Sequence, residues 1–527
     1  MEVKRICIVG GSLDGWMAAS FIKKNLPHMD VVVIESKDQL EPISGASATH
    51  SIISFFHGLK VVGENDWMEE CKATYKISNH YKNFKNTNDE GFFLSHIKSP
   101  LDGFEIRGFG ELFSLSKSFP KHFSNNNILE ILNPLILLNK KNKIPNGDFG
   151  GISWNPNRDI TYHFDKNLLT KFLKDKVAMP SGVASLEGEV VDCEKDDDGN
   201  VINVITNKGI RVNSDLYIDC TGEKSSLLGQ HMGVKFKSYD KYLINNKYLS
   251  IHIPYNNKKE QICNFTNNVA INNGWIQFIP LWDRIEVNYY YSDKFTTKEQ
   301  AILEFKDYIS NEFDYLVTSP KIQNYGELKQ GMYNKSWVKN VVGIGKALGY
   351  TEPLLSTDIL HPKESFIKIL AILSLKDGKY NQLDRKRYNR ELLDYITLTS
   401  YYTSLFYYAS EREDSIYWKH NTQNLKIKSK HNNTTYDKFF LIPNLETFVD
   451  LINIEPDLVY ISTGMGHSPI NNIDFEFMVY KPKFKKNQKV LYENIKVRFQ
   501  KIEKDLEKSL SSYEFLKDRI YKDGSNE

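Results

Sequence analysis

The pattern of apolar and polar positions is most regular near the start of the chain. Apolar runs at residues 6–9 and 31–34 predict two buried parallel strands, and residues 15–24 between them favour a helix. Glycines stand where the first strand meets the helix. This succession of strand, glycine turn, helix and strand predicts a βαβ unit that binds a dinucleotide.

Several residues of this unit are predicted to contact the cofactor. The glycines let a pyrophosphate approach the backbone, and the helix N-terminus faces its negative charge. Ser12 replaces the middle glycine of the fingerprint, and Glu35 ends the second strand where a carboxylate can bind ribose hydroxyls. An ordinary βαβ unit without a ligand is the alternative. The predicted contacts in the turn are Gly10, Gly11, Ser12, Leu13, Asp14 and Gly15.

The rest of the chain has strand patterns followed by helical ones. Residues 186–219 and 245–295 are strand-like, and residues 337–344 are predicted to form one buried strand. Asp165 is predicted to cap a helix at residues 166–174. From about residue 358 the pattern is mainly helical. The spacing predicts a last amphipathic helix carrying Leu491, Ile495, Phe499, Ile502, Leu506 and Leu510. That helix either packs on its own domain or makes a subunit contact in a homo-oligomer.

Composition narrows the class of protein. With 527 residues the chain is long enough for two or three domains. We predict an α/β fold in two parts, residues 1–360 and residues 361–527. The net charge of +2 gives no reason to expect binding to nucleic acid or to an anionic membrane.

The cysteines and the apolar runs favour a cytoplasmic protein. None of the five cysteines forms a CxxC pair, so neither a zinc site nor a disulfide framework is indicated, and we predict no metal. This usage fits a reducing compartment. No apolar run approaches the length of a membrane span. The N-terminal apolar residues are assigned to the first strand rather than to a signal peptide.

Motifs in a fixed order carry a family resemblance. Residues 15–19 read GWMAA, residues 337–340 read WVKN, and residues 352–357 read EPLLST. A GWxWxIP box is matched at Gly274, Trp275, Ile279 and Pro280. Weaker matches are YHFD at 162–165, IDCTG at 218–222, REDSIYW at 412–418 and GMG at 464–466. From near residue 5 to near residue 470, these motifs resemble the flavin-dependent halogenases of the tryptophan-halogenase type.

The resemblance implies a fold and a reaction. The fold would be an FAD-binding, Rossmann-like domain of the aromatic-hydroxylase type, with an inserted mixed β-sheet and a mainly helical C-terminal part. The implied reaction uses reduced FAD (FADH2) from a separate flavin reductase, together with O2 and a halide, to make hypohalous acid. That oxidant would halogenate an electron-rich carbon of a small aromatic substrate.

The resemblance also assigns roles to residues. Lys76 corresponds to the catalytic lysine that handles hypohalous acid, and burial suits this role because it favours the neutral amine. Ser356 is the second catalytic residue, and Thr357 and Asp358 form the halide site, where backbone N–H groups face an anion. The tunnel would be lined by Trp275, Ile279 and Pro280, with Trp275 keeping the substrate away from the flavin. Further cofactor contacts are implied at Ala48, Val190, Gly345 and Ile359, and a substrate pocket at His96, Leu355, Tyr417 and Trp418.

The chain departs from the family pattern at four places. Gln277 replaces the second Trp of the box, residues 46–49 replace a GEAT segment, Asp358 replaces a Gly and Leu355 replaces a Glu. In the family that Glu works opposite the lysine, polarising the oxidant or stabilising a cationic intermediate. Either Ser356 and Lys76 suffice for an activated substrate, or another acid substitutes, or the activity is lost.

Asp358 bears on the choice of halide. If its carboxylate points inward, it repels the strongly hydrated chloride and favours bromide or iodide. Alternatively, it caps the following helix and points to solvent. Two other functions also stay open: a flavin monooxygenase that hydroxylates an aromatic substrate, and a flavin-binding protein without turnover.

Overall fold

A computed structural model of the protein describes most of the chain. The described residues are 2–37, 40–50, 52–60, 63–95, 129–131, 133–151, 154–316, 320–424, 456–466 and 482–522. They divide into two compact units that interleave along the sequence. The first unit comprises residues 1–74, 161–254 and 279–400, and the second comprises residues 75–160, 255–278 and 401–527. The predicted sequential boundary at residue 360 stays a prediction.

The first unit contains the predicted nucleotide-binding sheet. Its strands and first helix are β1 (Arg5–Val9), α1 (Leu13–Asn25), β2 (Asp30–Glu35), β3 (Ala184–Glu187), β4 (Leu216–Asp219), β5 (Trp337–Val338) and β6 (Val341–Gly343). The strand order is β5-β6-β4-β1-β2-β3, and all pairs are parallel except β5 with β6. Buried apolar side chains on β1, β2 and β4 build one core cluster with the strands at 190–206. The predicted α/β fold is therefore confirmed.

The segment at residues 337–344 differs from its prediction. Instead of one strand it forms the short antiparallel pair β5 and β6. Lys339 in the turn between them has a left-handed φ of +54°. Asn340 anchors this turn, because its side chain accepts a hydrogen bond from the Val201 N–H and donates one to the Val201 carbonyl oxygen, each at 2.8 Å.

Two helices of the first unit position the site. Helix α2 (Lys166–Phe172) begins where Asp165 accepts hydrogen bonds from the N–H groups of Asn167 and Leu168, which confirms the predicted cap. A π-helical segment, Leu173–Ala178, follows it. Helix α3 (Thr357–Leu375) begins after a left-handed residue, Ser356.

The other elements of the first unit are short strands and helices around this sheet. The strands are Gly45–Ser47, Thr161–Asp165, Val190–Lys195, Val201–Thr206, Arg211–Asn213, Phe236–Ser238, Lys247–Ile253, Ile285–Tyr291, Asn324–Glu327, Gly331–Tyr333 and Gly349–Tyr350. The α-helices are Ile52–Gly58, Glu64–Trp67 and Lys298–Glu312, and 3-10 turns lie at Gly345–Ala347 and Pro353–Leu355. Three elements belong partly to each unit, because a boundary between the units falls within them. They are strand Thr74–Lys76, strand Gly274–Pro280 and helix Gln382–Tyr408.

The second unit has a sheet and most of the C-terminal helices. Strand Phe265–Ile271 pairs in parallel with Ser78–Lys82, which pairs antiparallel with Phe92–Leu94. Its helices are Ile136–Lys140, Pro156–Asp159, Lys258–Gln261, Ile416–Asn424, Pro456–Gly464, Pro482–Lys508 and Ser512–Arg519. The predicted helical C-terminal part is present in the described residues.

The last predicted helix ends earlier than the apolar spacing indicated. It covers Pro482–Lys508, whereas Leu510 lies in a two-residue strand, Leu510–Ser511, that pairs with Lys143–Ile144. Ile502 of this helix is buried and packs against Gly150. A Cβ added to Gly150 would lie only 2.4 Å from the Ile502 side chain. No described helix is long and apolar enough to span a membrane.

Candidate active site

The turn between β1 and α1 has the backbone that a nucleotide unit requires. Gly10 has a φ of +114°, and a Cβ on it would lie 2.3 Å from the Cys220 carbonyl oxygen. A Cβ on Gly15 would lie 2.0 Å from the Gly10 carbonyl oxygen. Among the described side chains none caps α1, since Ser12 Oγ instead donates to the Cys220 carbonyl oxygen at 3.4 Å. The N–H groups of the first turn are therefore available to an anion, which fits the pyrophosphate of FAD.

Glu35 lies at the end of β2, and protein groups already engage its carboxylate. Oε1 accepts hydrogen bonds from Lys174 Nζ at 2.5 Å and Ser185 Oγ at 2.7 Å, and Oε2 accepts one from Trp16 Nε1 at 3.1 Å. A Cβ on Gly11 would lie 2.3 Å from Glu35 Cβ, so only glycine lets this carboxylate approach the turn. Its contact with ribose hydroxyls stays a prediction.

A cavity with several charged lining residues lies in the first unit beside the starts of α1, α2 and α3. Its volume is about 30 Å³, and one water needs about 10–15 Å³ on the same measure. Predicted cofactor and halide residues meet here with charged residues that the sequence did not indicate. The lining residues are Leu13, Asp14, Glu41, Lys166, Gly345, Lys346, Gly349, Tyr350, Thr351, Thr357, Asp358, Ile359, His361 and Pro362.

Three acids and two lysines set the electrostatics of this cavity. Burial, and then the neighbouring Glu41, raise the pKa of Asp14 to about 7. Burial also opposes the charge of Glu41, but Lys346 and Lys166 outweigh it and hold the pKa of Glu41 below its usual value. Lys346 Nζ donates to Glu41 Oε2 at 3.2 Å. Lys166 Nζ lies 3.5 Å from Asp358 Oδ2.

The start of α3 carries the predicted halide site. Ser356 has a left-handed backbone (φ 58°, ψ 38°) and its side chain does not cap the helix. Thr357 Oγ1 and Asp358 Oδ1 are buried, and neither has a hydrogen-bond partner among the described residues. The Asp358 side chain is 14% exposed and lines the cavity, so the alternative in which it points to solvent is wrong.

His361 also lines the cavity, and its side chain is neutral. Burial lowers the pKa of His361 to about 4. Its Nε2 lies 2.8 Å from Thr399 Oγ1. At neutral pH this imidazole therefore adds no charge to the cavity.

The remaining predicted residues of the first unit have distinct surroundings. Ser356 Oγ lies 2.9 Å from Ser47 Oγ, so its hydroxyl is held by a second serine. A Cβ on Gly345 (φ +61°) would lie 1.8 Å from Asp14 Oδ2, so a larger residue here would displace this carboxylate. Ala48 is buried, and its N–H donates to the Tyr162 carbonyl oxygen.

Other predicted residues of this unit are buried in its packing. Val190 lies in the core cluster of the nucleotide sheet. Leu355 is apolar and 3% exposed. Ile279 and Pro280 are buried on the last part of their strand, and the Pro280 carbonyl oxygen accepts a hydrogen bond from Thr74 Oγ1 at 2.5 Å.

The predicted catalytic lysine belongs to the second unit. Lys76 ends the strand Thr74–Lys76 and is 1% exposed. Trp275 is fully buried in the same unit.

The predicted substrate residues of the second unit pack into its core. Tyr417 and Trp418 are fully buried. Trp418 Nε1 donates to the Ile271 carbonyl oxygen at 2.7 Å, and its ring lies 4.4 Å from the Arg412 guanidinium. His96 lies outside the described residues.

Sequence reasoning missed three of the five acids and lysines that line the cavity. Glu41, Lys166 and Lys346 carry no motif of their own. A signal was available for Lys166, because a cation in the first turn of a helix opposes the helix dipole. No comparable signal marks Glu41 or Lys346. Among the described residues, no group of three His, Cys, Asp or Glu side chains could hold a metal ion.

Comparisons with known proteins give matches over most of the chain. A family model described as "Tryptophan halogenase" matches residues 5–470. The tryptophan 7-halogenase RebH of Lentzea aerocolonigenes is 26% identical over 433 residues, which cover 80% of this chain and 79% of that protein. The tryptophan 6-halogenase SttH of Streptomyces toxytricini is 26% identical over 435 residues, 79% of this chain and 80% of that protein.

Solved structures of similar fold match nearly the whole chain. The structure described as "VirX1 apo structure" has a TM-score of 0.87 and 28% identity, covering 99% of this chain and 100% of that one. Tar14, described as a tryptophan C-6 flavin-dependent halogenase (chlorinase), has a TM-score of 0.81 and 26% identity, covering 97% and 99%.

Proposed function

The chain belongs to the tryptophan halogenase family, and from that premise we propose that it halogenates an activated aromatic compound, with bromide or iodide preferred to chloride. It is an enzyme of the flavin-dependent halogenase class, and its cofactor is reduced FAD. Enzymes of this class act on small aromatic substrates with halide and O2, and they need a separate flavin reductase.

The residues of the nucleotide turn fit the cofactor. The uncapped N–H groups at the start of α1 would hold the pyrophosphate, and Gly10 and Gly15 keep the turn narrow enough for this. When bound, reduced FAD would supply two electrons to dioxygen, so that one oxygen atom oxidises the halide to hypohalous acid and the other is released as water.

Lys76 would hold the oxidant beside the aromatic carbon. Its burial supports this role, because an amine shielded from water can form a hydrogen bond to hypohalous acid without competition from solvent. Ser356 is the second residue to which we assign a catalytic role, and its hydroxyl lies 2.9 Å from Ser47 Oγ.

The observation that carries the halide preference is the inward position of Asp358 at the start of α3. Two like charges 4 Å apart cost about 4 kcal/mol at an effective dielectric constant near 20, and Lys166 offsets part of this repulsion. Chloride holds its hydration water most strongly, so it gains least from entering such a site. Bromide and iodide shed water more readily and are easier to oxidise. The buried, apolar Leu355 in the same turn also suits a polarisable anion.

A competition assay tests the proposal. The protein is supplied with FAD, a flavin reductase, O2, an activated phenol and equal concentrations of chloride, bromide and iodide, and the products are identified by mass spectrometry. We expect brominated and iodinated products, with a larger chlorinated share for Asp358→Gly. A mainly chlorinated product from the wild-type protein would contradict the preference, and an added oxygen without halogen would indicate hydroxylation.

A further inference from the structure

The cavity beside α3 contains a lysine whose ammonium group is poorly satisfied. Lys166 is the first residue of α2, and its side chain is 8% exposed. Its Nζ lies 3.5 Å from Asp358 Oδ2, whereas hydrogen bonds between such charged groups are about 2.7–2.9 Å long. In the part of the chain that the structure describes, Nζ has no hydrogen-bond acceptor. Its three donors therefore lack a close acceptor.

Other polar atoms around this lysine also lack partners. Thr351 Oγ1, Thr357 Oγ1 and Asp358 Oδ1 are buried without a hydrogen bond to any described residue, and all three residues line the cavity. Most buried polar atoms in proteins are hydrogen-bonded. These atoms therefore indicate the place of a small polar guest, and the cavity volume is sufficient for one.

The donors around the cavity select an anion. Lys166 provides a positive charge, and the first turn of α3 provides N–H groups that no described side chain caps. Three acids of the cavity, Asp14, Glu41 and Asp358, oppose an anion, because an ionised carboxylate only accepts hydrogen bonds. Of these, Glu41 is engaged by Lys346, and Asp358 lies beside Lys166. Asp358 Oδ2 lies 3.5 Å from Lys166 Nζ, so this carboxylate already faces the ammonium group that an anion would approach.

We propose that Lys166 is the charged ligand of the halide in this cavity, and that Asp358 competes with the halide for its ammonium group. The inference rests on the proposed function, since it names the residue that binds the halide of that reaction. It follows that halide affinity is limited by the carboxylate of Asp358 as well as by hydration of the ion.

Halide binding can be measured without turnover. The line width of the bromide NMR signal is followed as the protein is titrated, with FAD absent and with FAD saturating. We expect Asp358→Asn to bind bromide about tenfold more tightly than the wild type, a change typical of one charged hydrogen bond. In the Asp358→Asn background, Lys166→Met should weaken bromide binding about tenfold, and Lys166→Arg should retain most of it.

The design avoids a variant with an unpaired buried carboxylate. Lys166→Met is made together with Asp358→Asn, so neither partner is left alone, and circular dichroism checks that each variant is folded. The matched control is Lys346→Met together with Glu41→Gln in the same background, so that this ion pair is also removed as a pair. Lys346 lines the same cavity but its charge is balanced by Glu41, to which it is hydrogen-bonded, so we expect removal of both to change bromide binding less than threefold.

Several results would overturn the proposal. One is equal loss of binding with Lys166→Met and with the paired Lys346→Met, Glu41→Gln control, which would mean that binding follows the general state of the cavity and not the ammonium group of Lys166. Another is an Asp358→Asn variant that binds bromide no more tightly than the wild type, and a third is wild-type protein that binds no bromide with or without FAD. Halogenated product is assayed separately, so a protein with the expected binding but no product would refute the proposed function and leave this inference standing.

Discussion

At the scale of single residues, Asp14 has the clearest consequence for pH. It lies in the first turn of α1, where the N–H groups would face the FAD pyrophosphate. Burial and Glu41 raise the pKa of this carboxyl to about 7, from an ordinary value near 4. The group is therefore mostly neutral below pH 7 and gains a negative charge as the pH rises through 7.

This charge should make FAD binding depend on pH. We expect the affinity of the wild-type protein for FAD to fall roughly threefold to tenfold between pH 6 and pH 8, because ionised Asp14 repels the phosphates. Asp14→Asn should bind FAD with little change over the same range. Titration of flavin fluorescence at pH 6, 7 and 8 measures this, with Asp30→Asn as a control at an exposed acid. An unchanged pH slope in Asp14→Asn would assign the effect to another group.

The proposed role of Lys76 is also a single-residue prediction. Lys76→Ala should lower halogenated product by at least about a hundredfold, the lower range for removing a group that acts on the reacting atoms. Flavin oxidation should continue, because the variant keeps the nucleotide turn. Product is measured by mass spectrometry and peroxide separately, with the exposed Lys82→Ala as control. Near wild-type product from Lys76→Ala would exclude it as the catalytic lysine.

At the scale of elements, the sequence was most informative where steric limits are strict. The β1–α1–β2 unit was predictable because its turn requires glycine at Gly10 and Gly15. The Asp165 cap was predictable because a carboxylate before a helix has one common local role. The β5–β6 hairpin was not, since an apolar run does not show where Lys339 reverses the chain.

The steric limit at Gly10 can be separated from simple backbone strain. Alanine would have a positive φ in both Gly10→Ala and Gly209→Ala. The new Cβ would clash with backbone at Gly10, whereas at Gly209 no atom lies within 4 Å of the Cβ position. We expect Gly209→Ala to lower the free energy of unfolding by about 1 kcal/mol and Gly10→Ala by about 3 kcal/mol or more. Urea unfolding measures both, and equal losses would contradict the close packing of this turn.

At the scale of the whole molecule, the candidate site depends on residues that are far apart in sequence. Asp14, Glu41, Lys166 and Lys346 line one cavity although more than 300 residues separate the first from the last. Motifs indicated the backbone turns at Gly10 and at Ser356, because each turn is local. The ion pairs between these turns could not be predicted, since they depend on how α1, α2 and α3 are placed around the sheet.

The replacement of an acid by Leu355 bears on which substrates the whole enzyme accepts. Leu355 is buried beside Ser356 and has no group that could stabilise a cationic intermediate. By analogy with the loss of one oxyanion-hole donor, this costs roughly 3–4 kcal/mol. Helix α3 and helix Gln382–Tyr408 follow each other across residues 376–381 only. The region between Thr357 and Phe406, which these helices span, is short for the substrate-binding insertion that the family resemblance leads us to expect of an enzyme for free tryptophan.

We therefore expect free tryptophan to be a poor substrate, with phenols, anilines or electron-rich heteroaromatics converted at least about a hundredfold more efficiently. Such rings carry an electron-donating group that stabilises the positive charge of the cationic intermediate. The protein itself has only the apolar Leu355 at this position. The comparison is of kcat/KM for each compound with bromide, reduced FAD and O2. Leu355→Glu is the matched variant, and it should narrow the gap by improving tryptophan more than phenol. Efficient, regioselective chlorination of tryptophan by the wild-type protein would contradict this prediction, because it would require another acid to do what Leu355 cannot.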